Sequence, residues 1–434
     1  MQPCAPVRGA GRRLHRRPHP QRRTSTRQRL IRLSTEAGTC FAYPSGSEPP
    51  TARGWKTGRV SDPSGAAPEL LWPARLVLPG QRTVYLDLNH WIALSQAATG
   101  HPEGAQYSDT LDACKAAAQA GVLFPISSVS YIEVSKIKDP RQRARLAEVM
   151  EELSGFRTVA SHSLIVTMEL DAAISARLGV PSRAPQALAY LGSGVGYAFG
   201  QVLTPTFSGL PDDKHTRQVA AVYGPDLLQD LMLGFERFAL RGPADDEAID
   251  MRRTGWDPEA AWKIAIERAA EERRQAALFD AVRSGVAHTA EEQLAVDSTD
   301  HKDWRKGRLR DAIAVRELTK CIWDLFGDVL SWYGRPAIEQ LWREERHQGR
   351  AFIRQMPSSE VAIELKTALH KDAARAVRWL PNDVTDIDQL AMAVPYCNVV
   401  VTDKAAADAL VKARLDQRCS TTLLRSLKDL PGYL

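Results

Sequence analysis

Residues 386–404 read DIDQLAMAVPYCNVVVTDK, and this stretch decides the fold. Leu390, Ala391 and Ala393 give a helix that starts at Asp386, capped by Thr385, a small-residue face able to pack closely on a sheet. Asn398–Thr402 follows as a strand that is apolar on both faces, the pattern of a central strand in a parallel sheet. Asp403 then falls at the carboxyl end of that strand. Asp386 falls at a helix amino terminus, where the dipole favours a carboxylate. Both acids can face one crevice, because ligand sites of open α/β sheets lie outside the carboxyl ends of their strands.

The same grammar appears near the start of the folded region. Thr83–Leu88, in TVYLDLNHW, reads as a strand that delivers Asp87, with Asn89 expected to cap a short helix. Tyr107–Ala120 is Ala-rich and helical, and Gly121 stops it. Val122–Ser127 reads as a second strand, and Ser128 or Ser130 caps the helix that carries Glu133 in VSYIEVSKI. Pro140–Leu153 is a helix, Phe156–Ala160 a third strand and Leu164–Leu178 another helix. Alternation of this kind argues for a parallel sheet with helices on both faces.

Between about 180 and 380 the alternation stops. Asp226–Leu240, Pro258–Val286, Arg308–Trp332, Pro336–Glu345 and Ser358–Val377 all carry apolar residues at helical spacing. Pro181–Pro185 and Ala287–Asp303 read as connectors. Residues 1–75 are rich in Arg, Pro, Gly and Ser, too poor in aliphatics to offset their ordering entropy. The expected organisation is a disordered Arg-rich segment at 1–75 and an α/β domain at 76–180 and 380–434, with a helical insertion at 181–379. The opening segment resembles an organellar transit peptide, and a nucleic-acid-touching arm or sequence ahead of the true start reads equally well.

Charge has to be read by segment. The 434-residue chain carries a net +5, yet residues 1–35 hold ten arginines and no acid. With +10 in that segment, the remainder is −5, so the basic total is no argument for nucleic-acid binding. The six cysteines are dispersed without a CxxC pair, which points away from a zinc site or a disulfide framework and toward the cytoplasm. Cys397 reads as core. No run approaches the roughly 18 apolar residues of a membrane span, so no membrane partner is expected.

The four acidic islands, Asp87, Glu133, Asp386 and Asp403, are the chemistry-bearing pattern. YLDLN after a first strand, a helix-borne glutamate 46 positions on, and an Asp-initiated Ala-rich helix leading to VVVTD resemble the PIN-domain nucleases. The resemblance covers residues 80–178 and 380–430. It implies a PIN-like parallel sheet interrupted by the helical insertion. It also implies that the four acids hold Mg²⁺ or Mn²⁺, whose bound water cleaves a phosphodiester, usually in RNA, with DNA as the lesser alternative. Many members are effectors of toxin or phage-defence systems, which implies an inhibitor or antitoxin partner. It leaves the oligomeric state open.

Each acid also has a plain structural use. Asp87 could cap its helix, Glu133 could pair with Lys136 or Lys138, and Asp403 could serve a turn with Lys404. The third island is open between Asp386 and Asp383, which would share a helix face if the helix began early, whereas Asp388 should point elsewhere. Asn89 and Thr402 are candidates to hydrogen-bond a ligating carboxylate. Asn382 reads as a turn residue and His90 as partly buried scaffold. Leu191–Gly200 (LGSGVGYAFG) reads as a tight buried loop rather than a phosphate cradle. Arg268–Arg274, interleaved with glutamates, reads as a solvated helix face, while DWRKGRLR at 303–310 is the better candidate for contacting a nucleic-acid backbone. The rival to a nuclease is a catalytically silent PIN-like module that binds nucleic acid or protein through the helical insertion. A DxD phosphatase is disfavoured, because Leu88-Asn89 follows Asp87.

Overall fold

The computed structural model describes residues 76–184, 188–200, 225–243, 257, 259–260, 262–263, 308–318, 323–334, 349–371, 379 and 381–434. In chain order these form β1 (Leu76–Val77), β2 (Val84–Leu86), α1 (Leu88–Ala98), α2 (Ser108–Gln119), α3 (Ser128–Lys136), α4 (Pro140–Ser154), β3 (Arg157–Val159) and α5 (His162–Leu178). Then come β4 (Leu188–Ala189), β5 (Leu191–Ser193), α6 (Gly194–Ala198), α7 (Pro225–Arg241), α8 (Leu309–Arg316), α9 (Trp323–Tyr333), α10 (Gly349–Arg354) and α11 (Pro357–Lys371). The chain closes with α12 (Pro381–Ala393), β6 (Val399–Val401), α13 (Lys404–Lys412), α14 (Leu415–Cys419) and β7 (Thr422–Leu424). The expected N-terminal segment, the stretches 268–274 and 287–303, Pro336–Glu345 and Trp304 to Lys306 lie outside the described residues.

The central sheet is parallel. β2 pairs with β6 and β6 with β7, in the register Tyr85 to Val400 and Val400 to Leu423. Two isolated parallel bridges, Thr83 to Leu123 and Ile126 to Thr158, set residues 123–126 between β2 and β3. The strand expected over Val122–Ser127 is thus reduced to bridges. Pro125 lies in its middle and has no N–H to give to a ladder. β5 runs antiparallel on β3, and β1 pairs with β4. Reading across the sheet, the order is β3, residues 123–126, β2, β6, β7, so chain order reverses between β2 and β6. That reversal is the topological switch point of a doubly wound sheet.

Alternation along the strands divides the interior into two layers. Val84, Leu86, Val399 and Val401 face a core shared with Trp91 and Leu94 of α1 and Leu111 of α2. Tyr85 and Val400 face the opposite core, with Ile165 of α5, Leu390 and Ala391 of α12 and Leu410 of α13. Each buried aliphatic side chain contributes about 1.5–3 kcal/mol relative to exposure. Sliding β6 by one residue would invert every valine, so the register is strongly fixed. Asn398 fixes it further, since its Oδ1 accepts from Thr83 N at 2.8 Å while its own N–H donates to Thr83 O at 3.0 Å.

The helical stretch joins both layers. Val361, Ala362 and Leu365 of α11 enter the Tyr85 core. Leu240 of α7 enters the Val84 core. α5 is apolar on two sides, because Val166, Leu170 and Ile174 pack on Leu325, Val329 and Leu330 of α9. Several boundaries differ from the sequence reading. Asp87, not Asn89, caps α1, and Ser127 caps α3. Leu191–Gly200 is a short strand followed by α6 rather than a loop. α12 starts at Pro381, so Thr385 is not its cap, and a proline there is pre-set for a first helical turn.

Candidate metal centre

Asp87 stands directly after β2, and Asp403 two residues after β6, on the two strands that flank the switch point. Each opens a helix. Asp87 Oδ1 accepts from His90 N at 3.1 Å and also contacts the His90 ring at Nδ1. Asp403 Oδ1 accepts from Ala405 N at 2.7 Å and from Ala406 N at 3.0 Å. Both carboxylates therefore sit at positive helix ends, which offsets part of the cost of holding like charges nearby. In each, Oδ1 is the engaged atom. The Asp87 side chain is 22% exposed and Asp403 is exposed, so both are reachable from solvent.

The early start of α12 places Asp383 and Asp386 one turn apart on the same face. Asp388 points away and is buried. Burial around its carboxyl group pushes Asp386 up to about 7, and the charges of Glu133, Asp87, Asp383 and Asp403 push it in the same direction. The residue as a whole remains exposed, so the lost hydration is that of a crevice wall. The four like charges are what distinguish this acid. Glu133, half-buried on the second turn of α3, is also raised, first by loss of hydration, with Asp87 adding to it. Lys136 and a hydrogen bond from Gln389 act against that rise. All five acids singled out in the sequence thus share one electrostatic neighbourhood. They arrive there from β2, α3, α12 and the β6–α13 junction.

This donor set suits a hard cation. The groups are carboxylate oxygens, with His90 the nearest nitrogen donor, and oxygen ligands select Mg²⁺, Mn²⁺ or Ca²⁺ over softer metals. Among the described residues, no group of three or more His, Cys, Asp or Glu side chains stands as a cage that could hold a metal ion. An Mg²⁺ ion asks for less than such a cage, since it keeps several waters and takes one or two carboxylates. The crowding of Asp386 also fits a bound cation, which would relieve the mutual repulsion.

Asn89 is exposed within α1, and Thr402 is buried at the end of β6. Arg310 is committed to Glu360 and Glu364, which removes it from the expected nucleic-acid contact. At Leu191–Gly200 the cradle is filled from inside. The Val195 N–H donates to Glu236 Oε2 at 2.8 Å, and Gly194, at φ +81°, has the Glu236 carboxylate where a side chain would stand. Sequence reading missed Gln389 and Tyr85, which lie beneath the acids. Their one visible signal was a polar residue one turn after Asp386, on the same helix face as that acid. The chain matches no protein-family model, no curated protein and no solved structure.

Proposed function

We propose that this protein is a PIN-like, metal-dependent endonuclease that hydrolyses phosphodiester bonds, in RNA before DNA. The observation that carries the reading is the shared electrostatic neighbourhood of Asp87, Glu133, Asp383, Asp386 and Asp403 at the carboxyl edge of β2 and β6. A phosphodiester is an anion, and uncompensated carboxylates would repel it. Only a cation between them makes the crevice a place for phosphate. When bound, Mg²⁺ or Mn²⁺ supplies a water of lowered pKa and neutralises charge on the phosphoryl oxygens. Asp87 and Asp403 would hold the ion from two helix starts, where Oδ1 of each already accepts from backbone N–H. Asp386 and Glu133 complete the set, and Asp383 supports Asp386 from the preceding turn.

The capping roles of Asp87 and Asp403 favour a second reading, in which the acids only start helices and the protein is a silent binding module. A cleavage assay separates the two. Full-length protein with Mn²⁺ or Mg²⁺ is incubated with mixed RNA and DNA substrates, beside Asp87→Asn and Asp403→Asn. Asn keeps the capping oxygen. The nuclease reading expects cleavage that chelator stops and that either Asn variant lowers by at least about 100-fold, the scale of losing a ligating group. Unchanged cleavage by both variants would assign the activity elsewhere. RNA binding without product in any sample would establish the silent module.

A further inference from the structure

Under the acid crevice runs a line of buried polar side chains that ends on Glu133. Gln389 Nε2 donates to Glu133 Oε2 at 3.3 Å, and Gln389 Oε1 accepts from the Tyr85 hydroxyl at 3.1 Å. The Tyr85 and Ser127 hydroxyls are 3.0 Å apart, and those of Ser127 and Ser130 are 3.1 Å apart. Ser127 Oγ also accepts from Ser130 N at 3.3 Å, which makes it the cap of α3. Gln389, Tyr85, Ser127 and Ser130 are all at most 2% exposed, so bulk water cannot substitute for these contacts.

Counting protons gives the line a direction. Tyr85 has one hydroxyl proton, and Gln389 Oε1 can only accept, so that proton goes to Gln389. The proton between Tyr85 and Ser127 must then come from Ser127, and the one between Ser127 and Ser130 from Ser130. The far end is an amide N–H aimed at a carboxylate, which accepts at both oxygens when ionised. Turning the Gln389 amide over would set its carbonyl against Glu133 and its N–H₂ against the Tyr85 oxygen, undoing the order. Every member is satisfied in one sense only, and a fully satisfied buried network of this kind fixes a single arrangement. It also joins three of the four places that deliver acids. Tyr85 stands two residues before Asp87, Ser127 starts the helix of Glu133, and Gln389 lies one turn after Asp386.

We propose that Gln389 and Tyr85 are positioning residues that hold the ionised Glu133 carboxylate toward the cation of the crevice. This rests on the metal-dependent reading of the site. The test is Mn²⁺ affinity of the metal-free, full-length protein, measured by calorimetry, with thermal melting to establish folding. The proteins are wild type, Asp87→Asn, Gln389→Leu, Tyr85→Phe and Glu133→Ala, together with Gln389→Leu and Tyr85→Phe in the Glu133→Ala background. The expected result is an affinity loss of about tenfold for Gln389→Leu and Tyr85→Phe, the lower end for groups that orient a ligand. In the Glu133→Ala background neither should cost anything further. A general packing defect would lower both backgrounds alike, and that outcome overturns the proposal. So does wild-type affinity in Tyr85→Phe, the variant that keeps the ring and hence the core, when Asp87→Asn has lost binding. Wild type and Asp87→Asn that both ignore Mn²⁺ would overturn the metal reading itself, and this inference with it.

Discussion

Two carboxyl groups in this protein, Asp386 and Glu169, are both raised to about 7, in each case first by loss of hydration, but their polar surroundings are opposite. Glu169 sits in α5 at 0% exposure, and loss of hydration alone lifts it. Its oxygens are fully employed. Ser358 donates from N at 3.0 Å and from Oγ at 2.6 Å, Tyr396 donates from its hydroxyl, and these bonds hold the rise in check. Asp386 is exposed, gains no such donor bonds, and is pushed further by four acids around it. A satisfied acid ties α5 to the first turn of α11. A frustrated acid marks a place where stability is given up. The same shift therefore means scaffold in one region and candidate site in the other.

The sharpest way to break this contrast is to remove each acid. Glu169→Ala leaves the Ser358 N–H and the Ser358 and Tyr396 hydroxyls buried without their acceptor. A loss of about 3 kcal/mol or more is expected in urea unfolding, at 1–3 kcal/mol for each orphaned group. Asp386→Asn should do the reverse in metal-free protein at pH 8 and raise stability. The gain should stay below about 1 kcal/mol, because the group is exposed and screened. A destabilised Asp386→Asn protein would mean that Asp386 is a structural acid like Glu169.

Titration sharpens the comparison. A raised acid binds its proton more tightly in the folded than in the unfolded chain, so its contribution is complete below the unfolded pKa and is lost as pH rises. For Glu169 that window runs from about 4.5 to about 7, and for Asp386 from about 3.8 to about 7. Melting temperature should fall across this range, and Glu169→Gln should flatten the fall more than Asp386→Asn does. Millimolar Mg²⁺ or Mn²⁺ should raise the wild-type melting temperature by mass action on the folded state. The same addition should act less on Asp386→Asn and leave the Glu169→Gln increment unchanged. Asn398→Ala should cost about 1 kcal/mol for the lost bond to Thr83 N, with the site acids and their pH profile unaltered.

Much of the sheet could be read in advance because local chemistry writes it locally. The valines of β6 are apolar on both faces, and only a doubly covered strand tolerates that. The acids were visible for a related reason, since each closes a strand or stands on a helix next to one. Helix starts were read less well. Asp87, Ser127 and Pro381 compete with Asn89, Ser128 and Thr385 as equally good starters, and backbone geometry chooses among them. The choice at α12 had consequences, because beginning at Pro381 brings Asp383 onto the face of Asp386. The two thereby become partners rather than alternatives.

What the sequence by itself determined is the α/β alternation, the two-faced burial of β6 and the set of candidate acids, with Asp383 and Asp386 as alternatives, all set by residue type and spacing within a few turns of chain. What only the tertiary structure decided is their meeting. Asp87 and Asp403 lie 316 positions apart and become neighbours only because β2 pairs with β6 at the point where strand order reverses. The same holds for Gln389 and Tyr85, whose hydrogen bond joins the helix face that carries Asp386 to the interior side of β2. Spacing along a chain carries no information about contacts made across a sheet, and those contacts set the charge that each acid feels.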